Sequence, residues 1–358
     1  MHLASFRVAL YTLFLVFTVF SKGVAQPDIA RIMVSASQLR KHVFTIASDS
    51  LQGRATGTAG QLKAAFYCVK SFRQSHLFAA FRPDSLQASF RQTFPFTATE
   101  VVLFGSSRIY GSIPYKRHEL LSAPLANQDS IRVLFGDNVA GLLIGTDLKQ
   151  EVVVLSAHYD HLGQSDKRIF HGADDNASGT ATVLSVASVF DSLAQQKIRP
   201  RRSILFVLFS GEEGGLLGSE YFIRNTPIPV KQLVGNLNVD MVGRVDHTHR
   251  KKPNYCYLIT NKQGDKLQEI AEIANSQSIK MALNQEGYDT ENDPEQHFYR
   301  SDQYSFAKRG IPALLFTSGN HPDYHQPSDT ANKIAYDVLQ KRATLIFQTA
   351  WRLANPLP

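Results

Sequence analysis

Cysteine is scarce: the 358 residues hold two, Cys68 and Cys256, and they are not spaced as a zinc site. Cys68 lies in a helical pattern, AAFYCVKSF, and Cys256 in a strand pattern, NYCYLIT, so pairing and separate burial both stay open. Zinc-finger, RNA-recognition and helix-turn-helix signatures are missing. The basic stretches, Arg199-Pro200-Arg201-Arg202 and His249-Arg250-Lys251-Lys252, are short and fall in loops. The net charge of +7 therefore reads as solvated loop charge, and nucleic acid is excluded as the expected partner. The longest apolar run, VALYTLFLVFTVF at residues 8–20, is too short to read as a membrane span. No cysteine follows it, which argues against a lipoprotein anchor. There is no internal repeat, no low-complexity linker, and no Gly-x-Ser-x-Gly elbow after a strand, which disfavours a serine hydrolase.

What is present bounds the chain from the other side. Hydrophobic residues make up 43% and charged residues 19%, enough for one large core or two modest domains. The start is basic (MHLASFR), then apolar, then SKGVAQ with small residues at Gly23 and Ala25. This order predicts a secretory signal over residues 1–25, cut after Ala25, and an exported protein, periplasmic or extracellular. An uncleaved anchor is the alternative.

Residues 34–82 read as a helical lead around a glycine-bearing loop, LQGRATGTAG, and residues 86–117 as strands. From residue 138 the pattern is regular. NVAGLLIGT and EVVVLSAH read as neighbouring strands, and SILFVLF, VGNLNVDMVG and GIPALLFTSG as further strands. ASGTATVLSVASVFDSLAQQ carries Val183, Val186, Ala187, Phe190 and Leu193 at helical spacing. LLGSEYFIRN, GDKLQEIAEIANSQ and residues 331–354 read as helices. Near-continuous apolar strands alternating with helices predict a three-layer α/β/α fold, its central sheet mixed but mainly parallel. Residues 26–358 form one domain on this reading.

In such sheets ligands bind beyond the carboxyl ends of the strands. There the sequence places His158, Tyr159 and Asp160; Asp174 and Asp175; Glu212 and Glu213 in FSGEEGG; Asp240; and His325. Each has an ordinary explanation alone, an aspartate before Asn-Ala-Ser-Gly being usually a helix cap. Together they pose an electrostatic problem, because carboxylates gathered at one rim repel unless a cation joins them. Histidine and carboxylate without cysteine suit zinc, with cobalt or manganese as imitators. The number of donors suggests two ions: His158 and Asp240 on one, Glu213 and His325 on the other, Asp175 between them. Glu212 is left to act as general base. Asp160 is placed to accept the imidazole N–H of His158 and fix its ring, and Asp174 reads as support.

HYDHLG, GADDNASGT, FSGEEGGLLGS, NVDMVGR and DYHQPSDT, in that order, resemble the di-zinc aminopeptidases of the aminopeptidase S and aminopeptidase Y type. ASDSLQGRATGTAG is similar to the lead segment of bacterial members, and the resemblance covers roughly residues 40–350. It implies a zinc-peptidase fold and the same ligands: His158, Asp175, Glu213, Asp240 and His325. It also implies Glu212 as base, Asp160 as orienter, Tyr324 as a group steadying the oxyanion, and a cis peptide at Asp175-Asn176. Two departures stand out. The stretch 83–140 is too short for the protease-associated insert of many relatives, and Gln303 stands where many bacterial relatives have histidine.

The expected reaction is hydrolysis of the N-terminal residue from a peptide with a free amino end, by a water that two zinc ions activate and Glu212 deprotonates. The alternatives are a single-zinc glutaminyl cyclase, a carboxypeptidase or dipeptidase of the same wider group, and a binding relative without catalysis. Residues 287–303, GYDTENDPEQHFYRSDQ, are acidic and read as a loop, either solvated or drawing in a substrate amine.

Overall fold

Along one strand, Val153 and Leu155 are buried on one side and Val152 and Val154 on the other, each in a different apolar cluster. The next strand in the sheet divides likewise, Ile204, Phe206 and Leu208 against Leu205, Val207 and Phe209. Side chains alternate across a strand, so a continuous apolar run needs cover on both faces. In this computed structural model, residues 28–84, 87–100, 116–121, 133–284 and 293–356 are described. The expected signal at 1–25 and the first part of the acidic segment lie outside them.

The described helices are α1 (Ala36–Ile46), α2 (Ala59–Gln74), α3 (Gly179–Gln195), α4 (Leu217–Arg224), α5 (Asp265–Gln277), α6 (Gln303–Ala307) and α7 (Tyr336–Ala354). Ser35 and Thr58 cap α1 and α2 by accepting from Gln38 N and Gln61 N. The strands are β1 (Phe78–Ala79), β2 (Phe81–Asp84), β3 (Gln87–Ser89), β4 (Arg91–Glu100), β5 (Lys116–Leu120), β6 (Val133–Leu143) and β7 (Leu148–His158). They continue with β8 (Gln164–Ser165), β9 (Arg168–Ile169), β10 (Arg202–Phe209), β11 (Leu233–Val239), β12 (Tyr255–Thr260), β13 (Ala282–Asn284) and β14 (Ala313–Thr317). Ten of them form one sheet in the order β13-β12-β14-β11-β7-β10-β6-β4-β5, with β1 also on β6; β2-β3 and β8-β9 are separate hairpins.

The sheet is mixed, and its parallel part is the centre: β14, β11, β7 and β10 run the same way. β6, β4, β5 and β12 pair antiparallel outside it. One correction to the sequence reading follows. β6 and β7 are not neighbours, because β10 lies between them, parallel to β7 and antiparallel to β6. Residues from α1, α2, α3, α5 and α7 pack on one face, and Phe222 of α4 and Phe306 of α6 on the other, which gives the three layers. The run Ala173–Gln195 is long and apolar enough to cross a bilayer, and it is mostly buried inside this core. Cys68 and Cys256 are both buried and free, on α2 and β12.

Candidate metal centre

The parallel strands end side by side, and the turns after them carry the chemistry. β7 ends on His158 itself, and Asp240 follows β11 directly, its N–H donating to Phe316 O at 3.1 Å. After β10 the chain turns at Gly211 (φ 78°) and again at Gly215 (φ 102°), left-handed positions suited to glycine. Between them, Glu212 O accepts from Gly215 N and Leu216 N. This short turn brings both glutamates to the rim.

Asp175 sits in the wide turn Ala173–Ser178 ahead of α3, preceding a cis peptide to Asn176. Asp329 Oδ2 accepts from Asp174 N (2.9 Å) and Asp175 N (3.2 Å). Asn176 ties the turn to β11 by donating to Val239 O and accepting from Met241 N. Asp174 points away from the rim: its Oδ1 accepts from Gly243 N at 2.6 Å, and its Oδ2 lies 3.2 Å from His321 Nε2.

The expected residues meet. His158 Nε2 is 3.4 Å from both Asp175 Oδ1 and Asp240 Oδ1, and 3.9 Å from Glu212 Oε2. His325 Nε2 is 3.0 Å from Asp175 Oδ2 and 3.2 Å from Glu213 Oε2. Asp175 thus faces one imidazole with each oxygen, and its buried Oδ2 has no well-formed hydrogen bond among the described residues. Donors about 2.0–2.1 Å from a shared zinc at tetrahedral angles lie about 3.3 Å apart. The spacings of 3.0–3.4 Å fit that requirement. A first group of His158, Glu212 and Asp240 and a second of His161, Asp175 and Glu213 each converge closely enough to hold an ion.

Asp160 behaves differently from a simple carboxylate orienter. His158 Nδ1 is 3.3 Å from the Asp160 main-chain oxygen and 3.6 Å from its carboxylate. That carboxylate accepts from Thr56 Oγ1 (2.9 Å) and from Glu212 N (3.3 Å), so it also anchors the glutamate turn. Tyr324 stacks on His325 with ring centroids 3.8 Å apart and lines the open recess above Asp175, Glu212 and Asp240. Met241, Leu315, Arg300 and Asn320 line the same recess. Gln303 is buried, accepts from Asn238 Nδ2 and donates to Phe298 O, and so serves the fold.

Charge in the cluster is strongly coupled. Burial pushes the Glu212 carboxyl well above its ordinary value, and Glu213, Asp240 and Asp302 push the same way. Glu213 is lowered to about 2: His325 and His161 overcome burial and the Asp175 charge. Burial opposes charge on His158 and His325, but the surrounding carboxylates raise both, His325 to about 11.

Three residues without an assigned role in the sequence reading belong here. His161 Nδ1 is 2.7 Å from Glu213 Oε1; it sits in the same HYDHLG stretch as His158. Asp329, in DYHQPSDT, holds the Asp175 turn. Arg54, from the lead segment, is wholly buried and donates to the carbonyls of Ile46, Tyr159, His171 and Gly172 at 2.6–3.0 Å. It fastens the chain beside His158 to the chain before Asp174.

The chain matches peptidase family M28 over residues 138–350 and belongs to that family. It is 29% identical over 221 residues to aminopeptidase YwaD of Bacillus subtilis (strain 168), covering 58% of this chain and 43% of that protein. It spans about half the length of the curated relatives it matches. Its fold is that of BSAP, a zinc aminopeptidase from Bacillus subtilis, with a TM-score of 0.63, 17% identity, and coverage of 89% of this chain and 95% of that one. A glutaminyl cyclase of Bacteroides thetaiotaomicron shares it too, with a TM-score of 0.57, 14% identity, and coverage of 90% and 99%.

Proposed function

We propose that the chain is a metal-dependent aminopeptidase that removes N-terminal residues from peptides, with two zinc ions at the rim. The observation that carries this is Asp175, set between two histidine–carboxylate groups with one oxygen toward each. His158 and Asp240 would hold one ion, Glu213 and His325 the other, and Asp175 both. The family and the names of its relatives support peptide hydrolysis. When bound, such a pair acidifies water and polarises a carbonyl.

The chain's own groups do the rest. Glu212 lies beside the His158 group without being needed as a ligand, so its carboxylate takes the proton of the attacking water and passes it to the leaving amine. Asp160 holds the Glu212 backbone, which fixes where that carboxylate points. Tyr324, stacked on His325, would present its hydroxyl to the developing oxyanion. Export rests on the basic start, the apolar run and the small residues before position 26.

A glutaminyl cyclase is the second reading, favoured by the shared fold. The complete paired ligand set argues for the peptidase. Purified protein, assayed for zinc content and against aminoacyl anilides with and without chelator, separates them. Two ions per chain and chelator-sensitive, zinc-restored anilide hydrolysis are expected. One ion per chain with cyclisation of N-terminal glutamine would replace the peptidase by the cyclase.

A further inference from the structure

His161 converges with Asp175 and Glu213, yet it is not one of the five ligands proposed above. We infer that His161 is a positioning residue for the second ion: its Nδ1–H donates to Glu213 Oε1 and leaves that carboxylate to ligate through Oε2 alone. The inference rests on the two-ion reading and goes beyond it.

Distance separates this role from direct ligation. Two donors on one zinc lie about 3.3 Å apart, and the 3.0 and 3.2 Å spacings of His325 Nε2 to Asp175 and Glu213 are close to that. The His161 Nδ1 to Glu213 Oε1 distance of 2.7 Å is shorter and is aligned as a hydrogen bond. The ring is held in place. It is buried, crosses the His325 ring at 62° with centroids 5.8 Å apart, and lies against Gly172. A Cβ added at Gly172 would come within 2.5 Å of the ring carbons Cγ and Cδ2, so glycine makes room for the ring. On the far side, His161 Nε2 is buried without a hydrogen-bond partner among the described residues. A proton there would be stranded, whereas on Nδ1 it meets an acceptor. With Oε1 held by His161, Glu213 would offer an ion only its other oxygen, Oε2.

Zinc affinity in competition with a chromophoric chelator tests this in wild type, His161→Ala, His161→Leu and His161→Asn. The leucine fills the space without a donor and serves if the alanine variant does not fold. Asparagine places an amide N–H near the Nδ1 position. The expected result is a two-step wild-type titration in which Ala and Leu weaken one step by ~10–100-fold, leave the other unchanged, and Asn restores the first. Two unchanged steps in the Ala or Leu chain, equal weakening of both steps, or no recovery with Asn would overturn the inference alone. A wild type that takes up a single ion would overturn the two-ion reading, and the inference with it.

Discussion

Glu212 and Glu213 are joined by one peptide bond and serve different histidines. Glu212 Oε2 is 3.9 Å from His158 Nε2, and Glu213 Oε2 is 3.2 Å from His325 Nε2. Their carboxyls are displaced in opposite directions, Glu212 upward by burial and Glu213 down to about 2 where histidines outweigh burial. The two substitutions should therefore part company. Glu212→Gln is expected to keep zinc and lose turnover by ~100-fold or more. Glu213→Gln is expected to lose zinc first. Metal analysis alongside anilide turnover checks both, and near-normal turnover in Glu212→Gln would remove it as the base.

Asp175 faces His158 with one oxygen and His325 with the other. Asp175→Ala should leave two sets of donors with no bridge and like charges nearby. Zinc content is expected to fall from two ions toward none, rather than to one. A variant that keeps one tightly bound ion would show that the bridge is dispensable to that site.

Arg54 is wholly buried and donates to four carbonyls. Burial lowers its pKa to about 10, with Asp160, Asp175, Asp329 and Glu213 pulling the other way. Arg54→Met should strand those carbonyls, at a cost of at least ~3 kcal/mol in urea unfolding. Arg54→Lys should recover little, because one ammonium lacks the planar fork that spans the carbonyls. A variant as stable as wild type would show that water replaces the guanidinium.

Much of this site is legible in the sequence because α/β folds deliver functional groups at strand ends. His158 closes β7 after the apolar run VVVL, Glu213 lies in the turn after β10, and Asp240 follows β11 directly. The order of strands across the sheet is not written locally. β6 and β7 are close in sequence, and β10 enters between them from about fifty residues further on. Arg54 was hidden for another reason. A lone arginine in a glycine-bearing loop reads as solvated, and only the tertiary structure shows carbonyls just after β7 and just before the Asp175 turn closing on it. His161 was visible in HYDHLG, but spacing alone does not say which of two histidines three residues apart meets Asp240 and which meets Glu213.

Asp302 gives a pH prediction for the metal-free protein. Burial, joined by Asp160 and Asp240 and opposed by His158, pushes its carboxyl from 3.8 up to about 7. Between those values the folded chain keeps a proton that the unfolded chain has released. The stabilisation is complete below about pH 4 and lost as pH rises through 7. Metal-free wild type should melt lower at pH 8 than at pH 5, and Asp302→Asn should shrink that drop and melt above wild type at pH 8. Identical drops in both proteins would show that Asp302 is not the group responsible.

The buried thiols give a simpler check. Burial raises Cys68 to about 12 and Cys256 to about 11, so neither is a ready thiolate at neutral pH. A thiol reagent should find none in the native chain and two after denaturation.

The two ends of the described chain are stitched together. Gln348 of α7 donates to Ile29 O, Gln340 to Val34 O, and Val34 N to Thr344 Oγ1. The lead that carries Arg54 is thus secured by α7, which comes after every strand of the sheet. The support behind the rim of histidines and carboxylates therefore rests on contacts between segments more than 300 residues apart, so a cut that frees α7 from the lead should loosen the chain beside His158 as well.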